Sequence, residues 1–315
     1  MAQVVLITGA SSGIGKATAE HLARLGYRVF GASLNPEAYV TGVKTLFIDV
    51  TSPESVQTGV QEVLHQGGPI DILINNAGIL GAVGGPEEIS RAQWERVINT
   101  NVLGMIEMTK AVLPGMRERR AGLIINMSSI VGMIPLPYYF APYITSKHAI
   151  EGYTEVLRGE VKPFGIKVAS IQPAIMNTQI EHTIDQPDNP LADYAPYRQR
   201  AHDMEKYGLE HGRDPHLVAE AILGVIRNPD PPLRTAAGKE ARVLLPLVRP
   251  IPHRSMEMVL HWLFISRDPW HPEREPLRRL FMDPKYADEV QHRWTLTMLL
   301  VVPILFFVGW FRRSR

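Results

Sequence analysis

Tyr143 and Lys147 stand four residues apart in a segment that reads as a helix from Tyr143 to about Lys162, so they share one helix face. An ammonium beside a phenol favours the phenolate and lowers its pKa from about 10. A phenol tuned that way can act as a general acid or base. Ser128 and Ser129, at the end of the apolar run Leu123 to Met127, can offer a hydroxyl to the same spot. A tyrosine on a helix is more often a packing residue. Of the ten tyrosines, though, only Tyr143 has Lys at the fourth position on.

The elements upstream set the context. Val4 to Ile7 is a short apolar strand that runs into Thr8-Gly9-Ala10-Ser11-Ser12-Gly13-Ile14-Gly15, followed by a helix to about Leu25. Strand, Gly-rich turn and helix form the dinucleotide-binding arrangement. The glycines let backbone approach a pyrophosphate, and the helix N-terminus adds free N–H groups. A second strand ends at Ser33-Leu34-Asn35, where an acidic residue would accept from the 2′-hydroxyl of NAD and an Arg would hold the 2′-phosphate of NADP. Neither is present, and the missing carboxylate tips the expectation toward NADP(H), with NAD(H) as the other candidate. Lys44 to Ile48 and Asp71 to Ile74 are further strands, and Arg91 to Met116 and Asp214 to Arg227 are helices. Strands alternating with helices predict an α/β fold with a doubly wound parallel sheet, a Rossmann fold. Ala241 to Leu245 reads as the last strand.

Composition narrows the function. The chain has 315 residues, 45% of them apolar, a net charge of +1 and no cysteine. No electrostatic footprint for nucleic acid is present. Disulfides, thiolate metal sites and a Cys nucleophile are excluded. His-Glu-x-x-His, Gly-x-Ser-x-Gly and glycosidase-like carboxylate pairs are absent, and no metal is expected. His182, His202, His211 and His216 read as surface residues. The N-terminus lacks the basic region of a signal peptide.

As a set, Thr8-Gly9-x-x-x-Gly13-Ile14-Gly15, Asp49-Val50, Asn75-Asn76-Ala77-Gly78, Asn101, Ser129, Tyr143-x-x-x-Lys147 and Pro173…Thr178 resemble the single-domain type of the short-chain dehydrogenase/reductase (SDR) superfamily. The likeness covers roughly residues 1–248. It implies that Tyr143 exchanges a proton with the substrate oxygen. Lys147 would bind the nicotinamide ribose and lower the pKa of Tyr143, Ser129 would hydrogen-bond the substrate oxygen, and Asn101 would hold a relay water. Gly9, Gly13 and Gly15 would line the pyrophosphate, Asp49 the adenine and Asn75 the adenosine side, and Thr178 would reach the carboxamide. Ser11, Ile14, Ser33, Val50, Ala77, Gly78 and Pro173 complete the implied cofactor set. Two departures stand out. Pro173 is followed by Ala174 where the pattern has Gly, and Ser129 and Tyr143 are one residue further apart than usual.

The resemblance makes Ile180 to Gly212 a cover for the substrate, and the helices at 91–116 and 143–162 a dimer face, so a homo-dimer or tetramer is expected. Beyond 248 the composition shifts. Residues 249–293 read as a helical extension and linker. Residues 294–311 read as a transmembrane anchor, because Thr295 to Phe311 carries no charge between Trp294 and Trp310, and seventeen helical residues span about 25 Å. The expectation is a membrane-associated NAD(P)-dependent oxidoreductase with its catalytic domain in the cytoplasm. It would interconvert a secondary alcohol and a ketone or aldehyde on an apolar, lipid-, steroid- or retinoid-like substrate, with Leu136, Tyr138, Tyr139 and Phe140 near the site. The rival is an inactive dinucleotide-sensing membrane scaffold, which the complete Asn101, Ser129, Tyr143, Lys147 set argues against.

Overall fold

A computed structural model describes residues 2–38, 40–134 and 139–248. Leu136 and Tyr138, the extension 249–293 and the anchor 294–311 lie outside the described residues. Among the described residues no helix is long and apolar enough to cross a membrane.

In chain order the strands are β1 (Val4–Thr8), β2 (Arg28–Ser33), β3 (Lys44–Phe47), β4 (Ile72–Asn75), β5 (Gly81–Ala82), β6 (Gly122–Met127), β7 (Ile166–Pro173), β8 (Ile184–Asp185) and β9 (Arg234–Ala237). The α-helices are α1 (Gly13–Arg24), α2 (Pro53–Gly67), α3 (Arg91–Ile98), α4 (Gly104–Arg119), α5 (Ala141–Val161), α6 (Ala195–Glu210), α7 (His216–Arg227) and α8 (Lys239–Val248).

Seven strands make one parallel sheet in the order β3-β2-β1-β4-β6-β7-β9. The chain winds outward both ways from the β1–β4 boundary, and in such sheets ligands bind at the carboxyl ends of the strands beside that switch point. Strands such as Ile72–Asn75 are buried on both faces, which is why they read as unbroken apolar runs. One apolar layer, with Leu22, Ile7, Ile125 and Ile222, lies under α1 and α7. The other, with Val60, Met108, Ile124 and Leu157, lies under α2, α4 and α5.

Two expectations change. The last strand is Arg234–Ala237, not Ala241 to Leu245, which lies within α8. A short apolar run does not tell strand from helix by its period. Here the sheet edge is already taken, with Ser170 to Pro173 pairing residue by residue with Arg234 to Ala237, and Gly238 at φ +100 turns the chain out of the sheet. The helix expected from Arg91 to Met116 is broken by a π turn at Asn99–Leu103, a feature frequent at functional sites.

Candidate active site

The cradle at the end of β1 is built on glycines that admit no side chain. Gly9 has φ +66, and a Cβ there would lie 2.9 Å from Ala77 Cα. Gly13 has φ +53, and a Cβ there would lie 3.2 Å from Thr178 Cβ. Both are backbone conformations that favour glycine. Helix α1 starts with Ser12 making no side-chain cap and no acidic residue in its first turn, so its first N–H groups and positive dipole end stay free for an anion. These residues fit the diphosphate of a dinucleotide. The expected partners Gly9, Gly13, Gly15, Ala77 and Thr178 are brought together. Ser11 sits in the same turn, half-buried, and Ile14 packs back on the core.

Asn75 is placed differently from the expectation. Its amide is buried and donates to Asn126 Oδ1 (2.9 Å) and Thr109 Oγ1 (3.2 Å), inside the protein rather than toward the cradle. Asn76, outside the expected cofactor set, does the stitching. Its Nδ2 donates to the carbonyls of Thr8 (3.0 Å) and Gly9 (3.1 Å), while its N–H and that of Ala77 donate to Thr8 Oγ1. Side chains alternate faces along an extended strand, so adjacent asparagines take opposite sides.

At the adenosine end, the Ser33 hydroxyl donates to the Asn35 carbonyl (2.7 Å) and accepts from the Asn35 N–H (3.2 Å). Asp49 Oδ1 accepts from the N–H and hydroxyl of Thr51. Val50 packs on Gly104, where a Cβ would meet it at 2.8 Å. Pro173 ends β7. Ala174 keeps a negative φ and donates its N–H to Ala237, so replacing the usual glycine there strains nothing.

Of the serine pair, Ser128 Oγ is buried without a partner. The Ser129 hydroxyl hydrogen-bonds toward Tyr143 and accepts from the Val131 N–H (3.3 Å), so Ser129 is the one that faces the phenol. Lys147 Nζ lies 5.4 Å from the centre of the Tyr143 ring and donates to the Met127 carbonyl (2.8 Å). The expected lowering of the phenol pKa is not produced by the protein's own groups. Burial pushes Tyr143 well above its usual value, the charge of Glu205 adds to the rise, and the Ser129 hydrogen bond lowers it.

Asn101, expected to hold a water, acts through its side chain as a brace. Its Oδ1 accepts from the Ile79 N–H (2.8 Å), and its Nδ2 donates to the Ile79 carbonyl (2.9 Å) and to Ser146 Oγ (3.0 Å). Ser146 in turn donates to the Tyr143 carbonyl (2.7 Å). Gly78 lies against the same amide, with a Cβ position 3.3 Å from Asn101 Oδ1. The π turn, Ser146 and the start of α5 are thereby locked together. The sequence signal for Ser146 was its place three residues after Tyr143.

Burial lowers Lys147 to about 8, against an opposing rise from Glu151. A lysine whose folded pKa is depressed binds its proton less tightly than in the unfolded chain. Its penalty is therefore present at neutral pH and fades as pH rises from about 8 to the unfolded value near 10.5. Lys147→Met should abolish turnover yet stabilise the protein against urea at pH 7 by about 3 kcal/mol, the worth of that shift, with the gain shrinking at pH 10. A Met variant no more stable than wild type at pH 7 would show that the ammonium is not desolvated.

A roof closes the site. Leu80, Val83, Phe140 and Ala201 form a buried cluster with Tyr139, Tyr143, Ile144, Ile180 and Ile184. The Tyr139 ring stacks on Tyr197 at 5.8 Å and meets Tyr194 edge-on. The expected cover at Ile180 to Gly212 is built of β8, two short 3₁₀ turns and α6. It is strapped down by β5–β8 pairing, by Arg96 to Asp185 and by Ser90 to Asp188. Glu88, fully buried, accepts from the N–H groups of Gly85 and Leu191 (2.7 Å each) and pairs with Arg198. Glu88→Ala leaves two N–H groups unpaired and takes the carboxylate from the half-buried Arg198, which keeps only its bond to the Leu191 carbonyl, so it should cost about 2–4 kcal/mol and raise KM. Thermal melts and saturation curves check both, and a variant within experimental error of wild type would show that the clamp is idle.

Among the described residues one group could hold a metal, His21, His216 and Glu220 between α1 and α7. The two rings are already hydrogen-bonded at 3.1 Å; His21 is buried, and His216, expected at the surface, is half-buried.

The short chain dehydrogenase family profile matches residues 3–189. A 3-ketodihydrosphingosine reductase of Bacteroides thetaiotaomicron is 38% identical over 268 residues, covering 84% of this chain and 99% of the relative. The crystal structure of a short-chain dehydrogenase from Streptomyces avermitilis superposes with a TM-score of 0.72 at 31% identity, covering 84% of this chain and 98% of that one. A variant of actinorhodin polyketide ketoreductase, solved with NADPH, superposes with a TM-score of 0.62 at 29% identity, covering 75% and 97%.

Proposed function

The chain belongs to the short chain dehydrogenase family and is a nicotinamide-dependent dehydrogenase/reductase, and from that premise we propose that it reduces a ketone on a long, apolar, lipid-like substrate with NADPH. The observation that carries this reading is the half-buried phenol of Tyr143, with Ser129 and Lys147 beside it and its ring packed on the apolar cluster of Leu80, Val83 and Phe140 that also takes up Tyr139. The name of the Bacteroides relative, a reductase of a long-chain ketone, points the same way.

The dinucleotide supplies the hydride when bound. The chain's own residues do the rest. Negative charge grows on the carbonyl oxygen, and the hydroxyls of Tyr143 and Ser129 would be the donors to it. Tyr143 gives its proton. Lys147, charged below about pH 8 and 5.4 Å from the Tyr143 ring centre, would hold the nicotinamide ribose. The Asn101–Ser146 brace fixes the turn that carries Tyr143, and the roof excludes water.

Preference for NADPH is supported by the absence of a carboxylate at Ser33. It should be modest, because the Ser33 hydroxyl is committed to Asn35. The test is a series of long-chain ketones followed by NADPH absorbance, with both reduced cofactors titrated. No ketone turned over would overturn the reductase reading, and tighter NADH binding would overturn the cofactor reading.

We also propose that the enzyme works as a homo-oligomer on a membrane surface. Exposed Leu103 and Val156, beside and on the helices of the expected dimer face, support the first part. The uncharged run of Thr295 to Phe311 supports the second. Deleting residues 294–315 should release the protein to the soluble fraction with activity on a small soluble ketone retained, since every proposed catalytic residue precedes residue 180. A full-length protein already soluble without detergent would refute the anchor.

A further inference from the structure

Two histidines and a glutamate meet between α1 and α7, away from the glycine cradle. His21 stands about 12 Å along α1 from Gly13 at helical rise. His216 and Glu220 are four apart on α7, so they share one face of it. The two rings lie edge to face, with centroids 4.6 Å apart. His21 Nδ1 is 3.1 Å from His216 Nε2, and His21 Nε2 is 3.2 Å from Glu220 Oε1. Each of the three residues offers a ligand atom within 4.8 Å of the others.

A neutral imidazole has one N–H and one lone pair. The contact between the rings uses one proton and leaves the second His21 nitrogen to find its own partner. No hydrogen bond reaches that Nε2, because the Glu220 oxygen is out of line for one. Among the described residues it is the only buried side-chain nitrogen left so. His21 is 8% exposed, too little for bulk water to serve the atom. Burying a polar group in this way costs free energy, and the core under both helices is apolar. His216 is half-buried and Glu220 is exposed, so the cluster opens to solvent on one side and an ion can enter.

We propose that His21, His216 and Glu220 form a site for a divalent transition ion of the zinc type, which would tie α1 to α7. Imidazole nitrogen and carboxylate oxygen are ligands such an ion takes, each about 2.0–2.2 Å from it. Two nitrogens on one ion then stand about 3.0–3.4 Å apart, and His21 Nδ1 and His216 Nε2 are already at 3.1 Å. The ion takes the place of the proton that the rings share. With Nδ1 on the ion, the His21 proton sits on Nε2 and faces Glu220. The His216 proton sits on Nδ1, 3.9 Å from the same oxygen. A carboxylate behind a ligating histidine fixes its tautomer and raises its basicity. The exposed Glu220 side chain turns to accept, and water completes the coordination from the open side.

The test uses the untagged full-length protein and ZnCl2. Calorimetry should show one ion per chain with a dissociation constant in the micromolar range. Zinc at about ten times that constant should raise the melting temperature by about 3 °C or more. His216→Ala, at the start of α7, should abolish both effects. The zinc shift is read within each variant, so a general loss of stability cancels. Glu220→Gln should weaken binding by about 10–100-fold, the usual worth of such an outer partner. His65→Ala, an exposed histidine on α2, is the control and should change nothing. No zinc binding by the wild type, or equal binding by His216→Ala, would overturn the site. Neither result bears on the reading of Tyr143, since no proposed catalytic residue belongs to the cluster.

Discussion

Tyr143→Phe should lower turnover by about 10²–10⁴, the worth of a positioned general acid, while leaving the melting temperature and NADPH binding close to wild type. Phenylalanine keeps the ring that packs with Ile144 and Phe140 and that lies 5.4 Å from Lys147 Nζ. It removes only the hydroxyl. Ser129 keeps its bond from the Val131 N–H, so no buried donor is stranded. The loss should fall in kcat rather than KM, because the proton is needed as charge develops and not on binding. Steady-state rates on any ketone the wild type reduces, together with an NADPH fluorescence titration, decide it. A variant that works at near wild-type rate would remove Tyr143 from the chemistry.

Gly15→Ala should weaken dinucleotide binding by more than about tenfold and destabilise the fold by about 1–3 kcal/mol, the usual range for overpacking. A Cβ at Gly15 would lie 2.1 Å from the Gly9 carbonyl oxygen and 2.5 Å from Asn76 Nδ2. The first of these is backbone and the second is tied to Thr8 and Gly9, so neither can swing away. Helix α1 must move off β1, and the free N–H groups at its start leave the place where the glycine turn presents a phosphate. Gly152→Ala is the control, since nothing lies within 4 Å of its Cβ position. Binding by Gly15→Ala equal to wild type would mean the cradle is not where the pyrophosphate sits.

Much of the site was legible in the sequence because its signals are local. The glycine spacing at 9, 13 and 15 fixes a turn and a helix start through backbone sterics alone. The Tyr143–Lys147 spacing fixes a shared helix face wherever that helix packs. Alternating strands and helices leave a parallel sheet as the way to bury every apolar run. The parts that went differently depend on partners distant in the chain. Asn75 turns inward because β4 lies against β6 and Asn126 waits there, leaving Asn76 to serve the cradle. Arg234–Ala237 takes the sheet edge because β7 offers it a register, which left Ala241 to Leu245 free to coil. The phenol of Tyr143 is raised rather than lowered because packing strips its water and the charge of Glu205, 62 positions away in the chain, adds to the rise. Composition and spacing determine what a segment can do through bonds within a few residues. Which side chains lose water, and which charges then face one another, is set only when the sheet and its roof close around them.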